Sequence, residues 1–278
     1  MEATRSWKLN FGEDDFAALR ALVKEHTGIH LSEQKRELVY GRLSRRLRAL
    51  GLDSFRAYRE LLERNEGEEL VQFCNAITTN LTSFFREAHH FQYLREQLLA
   101  PQAADPRAAR RLRFWSAGCS TGEEPYSLAM TIHETLTDVR RWDIRVLATD
   151  LDTEVLGKGA RGVYDEERVR GMTAGRLERF FRRDGSAPQA YAVTQELRDL
   201  ITFRELNLMH TLPMKGPFDA IFCRNVVIYF DKETQRRLFE RIAQLQRPGD
   251  ILFLGHSENL FRVCDAYTLV GKTIYRRN

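Results

Sequence analysis

The run F-W-S-A-G-C-S-T-G-E-E-P-Y-S, Phe114 to Ser127, sets an apolar strand, a glycine turn and a helix start in immediate succession. Gly118 and Gly122 carry no Cβ, so the backbone of such a turn can approach a ligand closely. Pro125 suits the first turn of a helix, where a missing N–H costs nothing. Glu123 and Glu124 open that helix. A helix N-terminus favours anions, so two carboxylates there fill the site and disfavour a pyrophosphate; the better guest is a cation. A further acid, Asp150, follows the apolar run I-R-V-L-A-T. An acidic residue ending the second strand of a doubly wound sheet commonly holds ribose hydroxyls. Its separation from Gly118 is longer than the roughly 20 residues of a dinucleotide fingerprint. Asp152 offers the same chemistry, or caps a helix beginning near Thr153. Asn207 in F-R-E-L-N-L and Asn225 in F-C-R-N-V-V-I-Y-F-D each stand just past an apolar strand. An amide there can donate to ring nitrogens and accept from an exocyclic amine, although a lone asparagine is more often an ordinary turn or cap residue.

The elements that must position these residues change character along the chain. Residues 11 to about 88 show helical periodicity alone: Phe16, Leu19, Leu22 and Val23 up to Thr27-Gly28, then Lys35 to Leu50 with Gly51 as its stop, Ser54 to Arg64, and Glu68 to Asn80. Val39, Leu43, Leu47 and Leu50 make an apolar stripe at helical spacing. From Arg111 onward strands alternate with helices: Leu112 to Ala117, Tyr126 to Thr137, Ile144 to Thr149, Thr153 to Gly159, Phe218 to Cys223, Lys232 to Gln244 and Asp250 to Gly255. That alternation predicts a mostly parallel sheet covered by helices. The rhythm breaks between about 162 and 204, where Phe180 to Arg182 and Tyr191 to Val193 flank the turn R-R-D-G-S-A-P; this predicts an inserted small antiparallel sheet. The expected organisation is a helical domain over 1–90, a linker over 91–110 around Pro101 and Pro106, and an α/β domain over 111–278.

The 278 residues, 43% apolar and 29% charged, have the composition of a soluble globular protein. No apolar run is long enough to span a membrane, and M-E-A-T-R-S-W-K has no apolar leader core, so a cytoplasmic location without membrane insertion is expected. Cys74, Cys119, Cys223 and Cys264 form no C-x-x-C pair, and His89 with His90 point apart on a helix, where a surface position is expected for both. No metal site is expected. Cys119 reads either as a reactive thiol or as a small buried residue.

Taken together, T-T-N-L-T-S-F-F-R-E at Thr78 to Glu87, A-G-C-S-T-G-E-E-P-Y-S, A-T-D-L-D, N-L at Asn207 and C-R-N-V-V-I-Y-F-D resemble the chemotaxis receptor methyltransferases of the CheR family. The resemblance covers nearly the whole chain, with its separated motifs in order. It implies a Rossmann-like S-adenosylmethionine-dependent methyltransferase domain with a small antiparallel β subdomain, preceded by an all-α domain. The implied reaction gives glutamyl methyl esters on the cytoplasmic domain of bacterial chemoreceptors and leaves S-adenosylhomocysteine. By motif, the resemblance implies that Asn80, Thr82 and Arg86 approach the cofactor from the end of the helical domain, with Gly118 in the turn. Glu123 would face the methionine ammonium, Asp150 the ribose, and Asn207, Leu208, Asn225 and Val226 the adenine. Arg86 and Tyr229 would hold the incoming carboxylate.

Two surfaces bear on partners. Lys35, Arg42, Arg45 and Arg46 lie on one side of the second helix, a basic face that either steers towards an acidic partner or is simply solvated. The inserted segment resembles the subdomain that, in part of the family, binds a receptor's C-terminal peptide at a sheet edge. Nucleic acid is not expected. A methyltransferase for another protein or small molecule, and a non-catalytic cofactor-binding module, are the competing readings.

Overall fold

The structure, a computed structural model, describes residues 9–64, 67–185 and 189–278. Met1–Lys8 and Ser186–Pro188, on which the expected missing leader and part of the R-R-D-G-S-A-P turn rest, lie outside the described residues. The chain divides into two compact units, 1–79 with 229–231 and 80–228 with 232–278.

The first unit is helical: α1 (Glu13–Thr27), a 3₁₀ turn (Glu33–Lys35) running into α2 (Arg36–Leu50), α3 (Phe55–Arg64) and α4 (Glu68–Ile77). Gly28 and Gly51 end α1 and α2 at φ of 73° and 69°, a left-handed conformation that glycine adopts without a Cβ penalty. Val39, Leu43 and Leu47 of the expected stripe are buried against Phe16, Leu19, Val23, Phe55, Tyr58 and Phe73. Leu50, the fourth member, is exposed because α2 stops there.

The basic face of α2 differs from expectation. Arg42 donates from Nη1 to the carbonyls of Ile77 (2.5 Å) and Thr78 (2.7 Å), and from Nη2 to Thr79 Oγ1 (3.0 Å). It thereby satisfies the carbonyls at the end of α4, which stops at Ile77 rather than continuing to Asn80. Arg46 pairs with the buried Glu69 carboxylate through Nε (2.9 Å) and Nη2 (2.5 Å), and Tyr58 donates its hydroxyl to the same group at 2.8 Å. Two of the four cations therefore hold the helices together, while Lys35 and Arg45 stay exposed.

In the second unit a sheet runs in the order β6-β2-β1-β7-β8-β10-β9. Its strands are β1 (Arg111–Ala117), β2 (Asp143–Asp150), β6 (Ile201–Glu205), β7 (Ala220–Cys223), β8 (Ile251–Leu254), β9 (Tyr267–Gly271) and β10 (Ile274–Arg277). The pairings from β6 through to β8 are parallel, and β10 pairs antiparallel with both β8 and β9. The central parallel strands β7 and β8 read as continuous apolar runs because both their faces are covered, whereas the edge strand β6 does not. A small antiparallel sheet runs β3-β5-β4, from β3 (Val163–Asp165), β4 (Phe181–Arg183) and β5 (Ala190–Val193).

The helices of this unit are α5 (His89–Tyr93), a π turn (Leu94–Leu99) leading into α6 (Ala100–Ala104), α7 (Glu123–Thr135), α8 (Thr153–Arg161), α9 (Glu166–Val169), α10 (Ala174–Phe180), α11 (Gln195–Arg198) and α12 (Lys232–Ala243). Tyr126, Ala129 and Met130 of α7 share a core with Tyr164, Phe180, Phe181, Tyr191 and Val193, so the small sheet packs on the helix that follows the glycine turn.

Three expected features fall elsewhere. Residues 201–204, assigned to the insertion, begin β6, which pairs with the edge of β2 from Val146↔Ile201 to Asp150↔Glu205. The stretch 91–110, read as a linker, is helical as far as Ala104, and Phe91, Leu94 and Leu99 are buried in the core beneath the sheet. Pro101 follows directly on the π turn, and the helix runs on through it to Ala104 rather than breaking there as its presence suggested. His90 is fully buried, not on the surface. Its ring lies 5.1 Å from that of Phe253 and its Nε2 3.1 Å from Thr273 Oγ1, and burial lowers its pKa to about 3, keeping it neutral.

Arg46→Ala leaves Glu69 buried without its cation, a change that costs about 3 kcal/mol. Urea unfolding of the whole protein should show that loss, and Arg45→Ala, at an exposed position, should leave the midpoint within error.

Candidate functional site

β1 and β7 are neighbours, although β2 follows β1 in the chain, so the strand order reverses between them. The carboxyl ends of two such strands open a crevice in which doubly wound sheets bind ligands. Gly118 leaves β1 at φ 88° and Gly122 starts α7 at φ 96°. The N–H groups of Gly118 and Cys119 donate to the Thr149 carbonyl at 2.8 and 2.9 Å, tying the turn to the end of β2. A Cβ at position 118 would stand 2.3 Å from Val226 Cγ2, and one at position 122 would stand 2.9 Å from Gly159 Cα. Both glycines are thus required by packing as well as by backbone angle. Cys119 is buried, and that burial keeps its thiol protonated, in accord with the packing reading.

The two carboxylates at the start of α7 diverge. Glu123 is buried, accepting from Arg168 Nη1 at 3.2 Å and from Thr121 Oγ1 at 2.6 Å. Glu124 accepts from Ser116 Oγ (2.7 Å) and Arg224 Nη1 (2.9 Å). Burial raises the pKa of both.

At the end of β2, Asp150 accepts from the backbone N–H of Ser120 (2.8 Å) and of Asp152 (3.0 Å), and burial raises its pKa. Asp152 caps α8 through Oδ1, which receives the N–H groups of Glu154 and Val155, and its Oδ2 receives Asn80 Nδ2 at 2.7 Å. Of the two aspartates, Asp152 is therefore committed to the fold. Asp150 is held by backbone alone in these contacts, and a carboxylate accepts about four hydrogen bonds, so it retains capacity for hydroxyl donors.

Asn207 and Leu208 follow β6 directly, and the N–H of Leu206 donates to the Asp150 carbonyl at 3.0 Å. Asn207 Oδ1 receives the N–H of Met209 at 2.9 Å, forming a side-chain turn. Asn225 and Val226 follow β7, with Asn225 in a left-handed conformation at φ 58°. Asn80 lies against the glycine turn as well, its carbonyl accepting from Ser120 Oγ at 3.1 Å. The carbonyl of Thr82 accepts from Arg168 Nη1 at 3.3 Å, and Arg86 Nη1 donates to the Leu81 carbonyl at 2.8 Å. All of these belong to the sheet unit, including Asn80, Thr82 and Arg86, which the motif reading attached to the end of the helical domain. Tyr229 groups with the helical unit, where its carbonyl accepts from the N–H of His30 at 2.7 Å.

Sequence reasoning missed two arginines. Arg168 of α9 bridges Glu123 and Thr82, and nothing in Y-D-E-E-R-V-R marks it beforehand. Arg224, its side chain 2% exposed, lies between Glu124 and Glu87 and also donates to the carbonyl of Arg86. Its signal was a cation placed directly after the apolar run A-I-F-C. The ensemble of a glycine turn, buried carboxylates and strand-end amides suits a ligand that carries a cation and hydroxyls and no phosphate.

Residues 14–78 match the family model of the CheR methyltransferase all-alpha domain, and residues 80–276 that of the CheR methyltransferase SAM-binding domain. The chain is 46% identical over 275 residues to the chemotaxis protein methyltransferase of Escherichia coli K12, spanning 96% of this chain and 92% of that protein. It is 46% identical over 271 residues to chemotaxis protein methyltransferase 2 of Pseudomonas aeruginosa PAO1, spanning 96% and 94%. To the probable chemotaxis protein methyltransferase of Rhizobium etli it is 40% identical over 258 residues, spanning 92% and 96%.

Proposed function

The chain belongs to the CheR methyltransferase family, S-adenosylmethionine-dependent enzymes of chemotaxis, and on that premise we propose that it methylates glutamate side chains of chemoreceptors to glutamyl esters. The observation that carries the reading is Glu123: a buried carboxylate at the head of the glycine turn, where a phosphate binder would present neutral or basic groups.

S-adenosylmethionine, when bound, supplies a sulfonium methyl group and carries an ammonium. Glu123 pairs with that ammonium, sharing its oxygens with Arg168 and Thr121. Asp150 accepts from the ribose hydroxyls, and Asn207 with Leu208 and Asn225 with Val226 flank the adenine. Gly118 lets the backbone come close, while Asn80 and Thr82 line the approach. The substrate glutamate is already ionised near pH 7, so it needs no general base. Arg86 orients it by a charge-assisted hydrogen bond. Positioning and exclusion of water then carry the acceleration, effects that contribute on the order of 7–11 kcal/mol.

The small sheet is the proposed tether for a receptor's C-terminal peptide. β3 and β4 are its outer strands, and β4 carries exposed Arg182 and Arg183, a combination suited to adding an acidic extended segment. Tethering would raise the effective concentration of enzyme at its sites.

Incubating the protein with tritiated cofactor and receptor-containing membranes should give base-labile methyl groups on the receptor; base-stable label would point to another acceptor. Arg86→Ala at saturating cofactor should lower the turnover number by about a hundredfold, and a near-normal rate would remove it from the reacting centre. Glu123→Gln should weaken S-adenosylhomocysteine binding by roughly ten- to a hundredfold in calorimetry, the loss of a hydrogen-bonded charge pair. Heat from receptor tail peptides, lost when a proline is placed in β4, would support the tether.

A further inference from the structure

Glu258 lies four residues beyond β8, in the run G-H-S-E, and is 4% exposed. Its carboxylate is filled by backbone donors from the end of β7. Oε1 receives the N–H groups of Val226 (2.9 Å), Val227 (2.9 Å) and Ile228 (3.3 Å), and Oε2 those of Asn225 (2.8 Å) and Gly255 (2.6 Å). No ion pair to it occurs among the described residues, so the charge is held by peptide dipoles alone, as an anion is in a backbone nest. Four consecutive N–H groups of one loop converge on a single side chain. Asn225 takes its left-handed conformation within that convergence, a backbone that asparagine adopts more readily than most L residues.

The same loop faces the glycine turn. Val226 Cγ2 occupies the space beside Gly118 that a Cβ would need, and a Cβ on Gly255 would lie 2.3 Å from Asn225 Nδ2 and 2.8 Å from its backbone nitrogen. The loop is thus enclosed by Gly118, Gly255 and the Glu258 carboxylate. With its N–H groups spent on Glu258, what it offers a ligand is the Asn225 amide, the Val226 side chain and carbonyl oxygens. Those are suitable groups for a purine, which needs a donor for ring nitrogen, an acceptor for the exocyclic amine and an apolar surface.

We propose that Glu258 is a positioning residue for the adenine half of the cofactor, acting through the Asn225–Ile228 backbone without touching the ligand. This rests on the reading that Asn225 and Val226 flank the adenine.

The test is calorimetric binding of two ligands to the full chain: S-adenosylhomocysteine, and 5′-methylthioadenosine, which keeps the nucleoside and lacks the amino acid. Glu258→Gln keeps the volume but presents amide hydrogens to N–H donors. It should weaken both ligands by the same factor, about tenfold or more. Gly255→Ala keeps the Glu258 side chain but sets a Cβ 2.8 Å from both the Asn225 backbone nitrogen and Glu258 Oε2, forcing the loop and the carboxylate apart; it should act in the same direction, so it carries the test if Glu258→Gln does not fold. Wild-type affinity for both ligands in both variants overturns the proposal, as does a loss confined to S-adenosylhomocysteine, which would place the effect at the amino-acid end. Asn225→Ala separates the two levels. If it weakens both ligands while Glu258→Gln does not, the adenine reading stands and the role of Glu258 falls. If it changes neither, the adenine reading itself falls.

Discussion

The ligand side of the sheet unit is organised around a guanidinium shielded from water. Arg224, at the end of β7, lies 2.9 Å from Glu124 and 3.4 Å from Glu87, with little of any of the three side chains exposed. Burial pushes the Glu87 pKa up, but Arg224, together with hydrogen bonds from His256, outweighs it and holds the carboxyl below its usual range. Removing Arg224 from such a buried cluster should cost about 3–5 kcal/mol, because it leaves two carboxylates shielded from water without their shared cation. The cluster therefore acts as a fixed joint. It fastens the first turn of α7, the segment that ends at Glu87 and the backbone beyond β8 to one strand end.

From that joint the arrangement of the 80–87 segment follows. Phe85 and Glu87 adopt left-handed φ values of 52° and 57°, uncommon for residues with a side chain, and are held there from several directions. The N–H of Phe85 donates to Ser127 Oγ at 2.9 Å, its ring lies 3.8 Å from the Arg176 guanidinium carbon, and Phe84 sits edge-on to Tyr164 and Phe181 of the small sheet. A segment that the sequence reading assigns to the end of the helical domain is, in packing terms, part of the sheet unit.

Much of this was legible in the sequence, and the exceptions have identifiable causes. The central parallel strands announce themselves as apolar runs, and the helical stops at Gly28 and Gly51 follow from backbone freedom. Gly118 and Gly122 mark the turn because close approach removes side chains there. What pattern could not show is where long polar side chains reach. Arg42 and Arg46 look like a solvent face because they are cations at surface spacing, yet their partners lie 35 and 23 residues away in the chain. β6 was misplaced because I-T-F-R-E can serve an inserted hairpin or a main-sheet edge equally well, and only pairing with β2 decides. Asp150 and Asp152 were indistinguishable in sequence, since telling a helix cap from an acceptor that keeps spare capacity requires seeing which N–H groups each receives.

The Arg168–Glu123 pair joins two parts of the fold that motif reading treats as separate. Arg168 lies in α9, the short helix that follows β3 of the small sheet, and Glu123 begins the helix at the glycine turn. Because one carboxylate serves both, the two regions share a free energy. On the proposed reading, in which Glu123 pairs with a cation, anything that draws Arg168 away from Glu123 would alter the strength of that pairing, and reciprocity would require the cation to alter the first interaction by the same factor. The crossover from β2 to β6 thus carries, in a single ion pair, a thermodynamic lever between the sheet edge and the turn.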